Sequence, residues 1–189
     1  IAALGVAARA RASAFVAQPR IVHWPVPVRT LVGLGRLPHR AAGAAETAAD
    51  ARAIDAALAA MDVMHLAARA ADQVSGGELA RVLIARALAQ EPRALIADEP
   101  AAGLDPAHQL SLFRHLREIA NKGVTVIVAL HDLSLAARFA DHVILLSGGR
   151  MVAAAAPGVV LTDDLLGKAY GVKACVTQID GVPVVLTQE

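Results

Sequence analysis

Apolar positions in the second half of the chain alternate between helical and extended spacing. A helical stripe runs from Leu79 to Leu88, and Pro92 ends it. Three short apolar runs then predict strands, namely ALIA, VTVIVAL and HVILL. The segments between them, PAHQLSLFRHLREIA and LSLAARFA, have helical periodicity. Strands that alternate with helices pair in parallel through right-handed crossovers. We therefore predict an α/β fold whose uniformly apolar strands are covered on both faces.

The chain before this pattern predicts helices, and the chain after it predicts a small β hairpin. Residues 19–74 contain no convincing strand, and a helical run within them places Ile54 and Leu58 on one side. The tail has two β-rich runs around Asp180-Gly181, a dipeptide typical of a tight hairpin turn. We expect three parts: the end of an N-terminal core at 1–18, a helical subdomain at 19–74, and an α/β core with a β-rich tail at 75–189.

Composition and charge exclude some functions. Of the 189 residues, 56% are hydrophobic but only 3% are aromatic. No apolar run approaches the ~18 residues that span a bilayer. The net charge is +1 with acids and bases interspersed, so the basic stripe of a nucleic-acid-binding protein is missing. The single cysteine, Cys175, excludes a disulfide within the chain, and we expect it to be a small buried apolar residue.

Polar residues follow two of the predicted strands. Asp98 and Glu99 come directly after ALIA, and His131 follows VTVIVAL. Ligands of open α/β sheets collect at the carboxyl ends of the strands. An Asp there can hold Mg²⁺, and a neighbouring Glu can orient or deprotonate an attacking water. Adjacent acids also commonly cap the next turn, and a lone His is more often structural, so neither signal decides by itself.

The run VSGGE, at residues 74–78, precedes the first helix of this half. Ser75, Gly76 and Gly77 would leave free backbone N–H groups at the positive end of that helix, where an anion binds well. Ser75 and Glu78 also have the spacing of a capping box, which many ordinary helices carry. A capping box does not need two consecutive glycines, which favours an anion site.

Taken in chain order, these motifs resemble those of the ATP-binding subunits of ABC transporters. VSGGE is similar to the family's signature motif, ALIADE to its Walker B strand and AGLD to its D-loop. Gln18, at the end of the apolar run SAFVAQ, corresponds to the Q-loop and His131 to the switch histidine. The resemblance covers essentially the whole chain. It implies a P-loop NTPase-like parallel sheet flanked by helices, with an inserted all-helical subdomain.

The resemblance also implies a role for each residue. Two copies of the subunit would sandwich two ATP molecules, and each VSGGE would complete the partner's site. Asp98 would hold Mg²⁺, and Gln18 would approach that ion and the γ-phosphate. Glu99 would act as the general base, and His131 would contact the γ-phosphate. Asp105 would communicate across the dimer.

Two further stretches, VRTLVGLGRLPHR and LDPAHQ, resemble importer ATPases for iron–siderophore, haem or cobalamin uptake. Such a subunit lies at the cytoplasmic face of the inner membrane. Its helical subdomain, especially Trp24 to Arg40 here, would receive the coupling helices of the permease subunits. A substrate-binding protein would act only indirectly, and no nucleic acid is expected as a partner.

A phosphate-binding P-loop requires G-x-x-x-x-G-K-[ST], and none of the three lysines, Lys122, Lys168 and Lys173, has those neighbours. We therefore expect an N-terminally truncated piece, inactive by itself, of an ATPase that drives import. Two alternatives stay open: a non-catalytic ABC-like scaffold without a P-loop, and a non-transport ABC ATPase acting on DNA or ribosomes. Glu99 and His131 argue against the scaffold. The other class usually carries a long coiled-coil insert or a second cassette, and neither is visible.

Overall fold

The computed structural model describes residues 5–18, 22, 24–41, 43–179 and 181–188. The chain divides into two compact units, Ile1–Ala129 and Leu130–Glu189. The α-helices in the described residues are α1 (Val6–Ala12), α2 (Val28–Gly33), α3 (Ala48–Ala60), α4 (Gly76–Leu88), α5 (Pro106–Asn121), α6 (Leu133–Phe139), α7 (Pro157–Val160) and α8 (Asp163–Tyr170). The strands are β1 (Ser13–Val16), β2 (Ala94–Asp98), β3 (Thr125–Ala129), β4 (Val143–Ser147), β5 (Arg150–Ala155), β6 (Lys173–Ile179) and β7 (Val182–Gln188).

The first unit contains a parallel sheet of β1, β2 and β3 in that order, which confirms the predicted α/β class. The register pairs Val16 with Ala97 and Asp98 with Ala129. Helix α4 packs against β1, and α5 packs against β3. The carboxyl ends of all three strands therefore lie along one edge of the sheet.

The prediction that these strands are covered on both faces is wrong for the described residues. The register places Ala14 beside Leu95 on one face, where they are 3% and 0% exposed. Phe15 and Ile127 flank Ile96 on the opposite face, and they are 57% and 50% exposed. The described residues of this unit pack against the first face only. The apolar pattern therefore overestimated how far the strand side chains on the second face are buried.

In the described residues, the second unit consists of two antiparallel hairpins and three helices. The run HVILL forms β4, which pairs with β5 and not with a parallel neighbour in the described residues. The reason is a tight turn that the apolar pattern did not reveal: Gly148 and Gly149 have φ angles of 55° and 73°. The core of this unit is apolar and consists of Leu145, Val160, Leu161, Leu166 and Ala174.

The tail forms the predicted hairpin of β6 and β7. Ile179 pairs with Val182, and Gly181 has a φ of 75°, as a two-residue turn requires. Asp180 lies outside the described residues. Cys175, which we expected to be buried, is exposed. It follows the buried Ala174 along β6, and successive side chains of a strand point to opposite faces, so only one of the two is covered.

The regular elements of the described residues in 19–74 are helices joined by loops, apart from an isolated bridge between Pro27 and Ala70. Helices α2 and α3 pack against each other and against α4, with Ile54 and Leu58 fully buried. The proposed boundaries after residues 18 and 74 stay predictions. No helix in the described part of the chain has the length and hydropathy that a bilayer crossing requires.

A 3₁₀ helix, Leu34–His39, follows α2 and contacts the C-terminal end of α4. The contacts are made by Gly35, Arg36 and His39. A Cβ on Gly35 would overlap the carbonyl oxygen of Arg86, so only glycine allows this approach. Arg36 donates from Nη1 to Ala89 O at 2.7 Å, and His39 Nε2 lies 2.8 Å from Gln90 O. These donors satisfy carbonyls that a helix end leaves without partners.

Arg36 is also the centre of a buried ion network. Its Nε donates to Asp50 Oδ1 at 2.9 Å and its Nη1 to Glu91 Oε2 at 2.6 Å. Arg36 and Asp50 are only 4% and 3% exposed. Asp50 also belongs to the capping box that starts α3, where it accepts from the backbone N–H of Thr47 at 3.0 Å. The network ties the start of α3 to the end of α4.

Candidate functional site

Gln18 and Glu99 meet at the carboxyl edge of the parallel sheet. Gln18 follows β1 by two residues, and Glu99 follows β2 directly. Because β1 and β2 are parallel neighbours, both side chains leave the sheet at the same edge. Gln18 Nε2 donates to Glu99 Oε2 at 3.0 Å, across 81 positions of sequence. Two residues that the sequence assigned to one site are therefore in direct contact.

The backbone of Glu99 is held in an uncommon conformation. Its φ is 43°, in the left-handed region that residues other than glycine seldom adopt. Its N–H donates to Ala129 O at 2.9 Å, and its C=O accepts from Ala102 N at 3.1 Å. Such strain costs about 1–3 kcal/mol and persists where the surroundings impose it, most often at functional sites.

Replacing Glu99 by Gly should therefore raise the stability of the chain. We expect the free energy of unfolding to increase by about 1 kcal/mol, because glycine adopts this φ without strain. Glu118→Gly is the matched control at an exposed position in the last turn of α5, where we expect a loss of up to about 1 kcal/mol. Urea denaturation of both variants measures the difference. Equal losses would mean that residue 99 is not strained.

Asp98 is the last residue of β2 and is half-buried. Gln18 presents its other amide atom, Oε1, as the acceptor, since Nε2 donates to Glu99. A carboxylate and an amide oxygen are donors that suit Mg²⁺, which keeps several waters and binds substrate phosphates in addition. No group of three or more His, Cys, Asp or Glu residues in the described ranges could hold a metal alone. The donor set fits an ion that arrives with a phosphate.

His131 lies two positions after Ala129, in the exposed loop between β3 and α6. It belongs to the second unit, whereas Asp98 and Glu99 belong to the first. The prediction that all three surround one phosphate stays a prediction.

The run VSGGE forms the turn that begins α4, and we call residues 75–78 the signature turn. Its capping box is present: Ser75 N donates to Glu78 Oε2 at 2.7 Å, and Glu78 N donates to Ser75 Oγ at 3.3 Å. The hydrogen bond from the Ser75 N–H holds the pKa of the Glu78 carboxyl below its usual value. The spacing of Ser75 and Glu78 therefore forms the capping box that it resembles. Anion binding at the same turn stays a prediction.

The two glycines of the signature turn have different surroundings. A Cβ on Gly76 would meet no atom within 4 Å, so this position is open to a ligand or a partner. A Cβ on Gly77 would lie 2.5 Å from His108 Cδ2 and 2.8 Å from Cγ. Gly77 is therefore glycine because an imidazole ring occupies the space of its side chain.

Asp105 caps the N-terminus of α5. Its Oδ1 accepts from His108 N at 2.9 Å, and its Oδ2 lies 2.6 Å from His108 Nδ1. The backbone N–H of His108, and then its ring, lower the pKa of the Asp105 carboxyl. Sequence reasoning missed His108, although its position three residues after a helix-capping Asp could have indicated the contact. It missed Arg36 as well, for which no local signal exists.

Comparisons with known proteins agree with these motifs. The family model described as ABC transporter matches residues 12–102. A hemin import ATP-binding protein of Nocardia farcinica is 45% identical over 161 residues, which are 85% of this chain and 55% of that protein. A hemin import ATP-binding protein of Pseudomonas entomophila is 41% identical over 187 residues, 95% of this chain and 72% of that protein. A cobalamin import ATP-binding protein of Halobacterium salinarum is 40% identical over 175 residues, which are 92% of this chain and 44% of that protein.

The fold agrees with a solved structure of an inward-facing metal-chelate type ABC transporter. The TM-score is 0.86 at 24% sequence identity, over 94% of this chain and 72% of that one. At this identity the likeness establishes the fold alone. The chain spans only about half the length of the Nocardia farcinica relative, 55%. The ordered motifs, the parallel sheet and the 41% identity across most of the Pseudomonas entomophila protein together show that this chain belongs to the ATP-binding subunits of ABC transporters.

Proposed function

We propose that this chain contributes the water-activating half of an ATP hydrolysis site in an ABC importer. The observation that carries the proposal is the hydrogen bond from Gln18 to Glu99 at the carboxyl edge of the sheet, next to Asp98. A strained Glu, an amide and a second carboxylate at such an edge have little structural purpose. They suit a site where a water attacks a phosphate held by a metal ion.

Within this site Glu99 takes the proton of the attacking water, and Gln18 holds the Glu99 carboxylate in place. Asp98 and the Gln18 carbonyl oxygen would hold Mg²⁺, which supplies positive charge against the phosphate oxygens. His131 would donate to the γ-phosphate. General-base assistance of this kind typically contributes ~10²–10⁴-fold to the rate.

The remaining motif residues would serve a second copy of the chain. The capping box of the signature turn uses the N–H groups of Ser75 and Glu78. The N–H groups of Gly76 and Gly77 would face the partner's phosphate at the start of a 13-residue helix, where an anion is stabilised. The open space around Gly76 gives a partner's phosphate room to approach. Asp105, half-exposed beside this turn, would contact the other copy. Each ATP would then lie between two copies.

The cargo that we propose is haem, cobalamin or an iron–siderophore complex. Haem and cobalamin follow from the names of the relatives, and iron–siderophore follows from the sequence resemblance. The helical segment would dock on the permease subunits at the cytoplasmic face of the membrane, with a substrate-binding protein acting only indirectly. Its exposed apolar residues support a protein contact there, since Trp24 is 73% and Leu37 62% exposed.

A non-catalytic ABC-like scaffold is the second candidate, because the 189 residues contain no G-x-x-x-x-G-K-[ST] run. Glu99 distinguishes the two. A scaffold gains nothing from a carboxylate in a strained backbone conformation.

Titration calorimetry with Mg·ATP tests the proposal on two proteins. One is the 189-residue chain, and the other is a chimera in which a P-loop-containing segment of an ABC transporter ATP-binding subunit is joined before residue 1. We expect the chain alone to bind ATP more weakly than about 1 mM, because it lacks the lysine and loop amides that cradle the β- and γ-phosphates. The chimera should bind ATP and hydrolyse it. Micromolar binding by the chain alone, or a folded chimera that binds without hydrolysis, would contradict the proposal.

A further inference from the structure

His108 connects two turns that the sequence assigned separate roles. Its Nδ1 lies 2.6 Å from Asp105 Oδ2, and its ring fills the space beside Gly77 Cα. All three residues belong to the first unit. The Asp105 carboxylate is acceptor-only when ionised, so Nδ1 carries the proton. The Cδ2–Cγ edge of the ring faces the position where a Gly77 side chain would be.

The turn that ends at Asp105 begins at Glu99. Ala102 N donates to Glu99 O at 3.1 Å, and Leu104 N donates to Ala101 O at 3.2 Å. Consecutive turns thus lead from the strained Glu99 to Asp105. The His108 ring continues this series of contacts to the signature turn.

We propose that His108 is a positioning residue. It contacts both the signature turn and Asp105, and it thereby fixes the position of the signature turn relative to the turn that ends at Asp105. The functional consequence rests on the function proposed above. If Glu99 serves the ATP of its own chain and the signature turn serves that of the partner, His108 couples the two ATP sites. It acts through Gly77 and Asp105, and it need not touch nucleotide itself.

Alanine substitutions at the two glycines test the packing without nucleotide. Gly77→Ala should lower the thermal unfolding midpoint by about 2–10 °C, because its methyl group collides with the ring. Gly76→Ala is the matched control, one residue away in open space, and should leave the midpoint unchanged or slightly raise it. In a His108→Ala background, Gly77→Ala should cost little. An equal loss in both backgrounds, or no loss in either, would overturn the proposal.

¹H–¹⁵N NMR spectra of the same chain at one pH test the coupling. His108→Gln should shift the Gly77 amide resonance, because the substitution removes the ring that packs against Gly77. Asp105→Asn should shift the same resonance, because it removes the carboxylate that holds the His108 ring through Nδ1. His115→Gln on the same helix, whose ring contacts the Ser111 carbonyl oxygen, is the control and should leave the Gly77 resonance unchanged. A Gly77 resonance that responds to neither His108→Gln nor Asp105→Asn would refute the coupling. Neither measurement uses ATP, so their outcome is independent of the proposed ATPase activity.

Discussion

Glu99→Gln in the chimera is expected to reduce ATP turnover by ~10²–10⁴-fold while ATP binding persists. The substitution is nearly isosteric, and the new amide oxygen can still accept from Gln18 Nε2. It removes the basic carboxylate and leaves Asp98 in place for Mg²⁺. Phosphate release at saturating Mg·ATP measures turnover, and calorimetry on the same variant measures binding.

Two further variants make the result specific. Asp98→Asn should weaken Mg·ATP binding as well as turnover, because the residue is proposed to hold the ion. Glu118→Gln, on the exposed face of α5, removes a carboxylate away from the site and should leave turnover unchanged. If Glu99→Gln keeps near-normal turnover, the base lies elsewhere and the proposed role of this strand end is wrong.

Arg36→Met should lower the free energy of unfolding by about 3–5 kcal/mol, the range for breaking a buried ion pair from one side. Methionine retains most of the apolar stem, whereas Asp50 and the Ala89 carbonyl lose a charged donor. Arg29→Met is the matched control. Arg29 contacts Asp55 and Glu46 with its side chain 35% exposed, so we expect a loss of only about 0–1 kcal/mol. Urea denaturation followed by circular dichroism measures both.

The Arg36 effect should depend on pH. The Arg36 guanidinium, together with the N–H and hydroxyl of Thr47, holds the pKa of the Asp50 carboxyl well below its usual range. A carboxyl with a lowered folded-state pKa stabilises the fold above its unfolded pKa of about 3.9, and this stabilisation disappears as the pH falls toward the folded value. The stability difference between wild type and Arg36→Met should therefore narrow below about pH 4. If the stability difference between wild type and Arg36→Met stays constant as the pH falls, the loss of stability comes from packing and not from the ion pair.

Local patterns predicted the elements that local physics determines. The apolar stripe from Leu79 to Leu88 became α4, and the parallel pairing of β2 and β3 followed from the alternation of strands and helices. The strand β1 was not predicted. Asp180-Gly181 correctly placed the final hairpin. The run HVILL was assigned the wrong partner because its apolar residues are equally compatible with a parallel strand. The deciding signal was the Gly148-Gly149 turn after it.

Contacts between distant positions could not be read from the sequence. Arg36 reaches Ala89 across 53 positions, and nothing in GRLPH indicates where that cation is buried. The exposure of Phe15 and Ile127 depends on which neighbouring elements cover each face, which an apolar pattern does not contain. At the site, the position of Asp98 and Glu99 at a sheet edge was predictable from parallel topology, whereas Gln18 was assigned to the same site only through the family resemblance. The collision between a Gly77 side chain and the His108 ring was not predictable, since it requires the packing of α4 on α5.

The most direct measurement is the mass of the Glu99→Gln chimera in solution with different nucleotides. Two copies that share two ATP molecules, with each signature turn on the partner's nucleotide, should form a dimer when hydrolysis is blocked. We expect sedimentation to give twice the monomer mass with Mg·ATP and the monomer mass with Mg·ADP. A protein that binds Mg·ATP and stays monomeric, or that dimerises equally with either nucleotide, would contradict a site completed by a second copy.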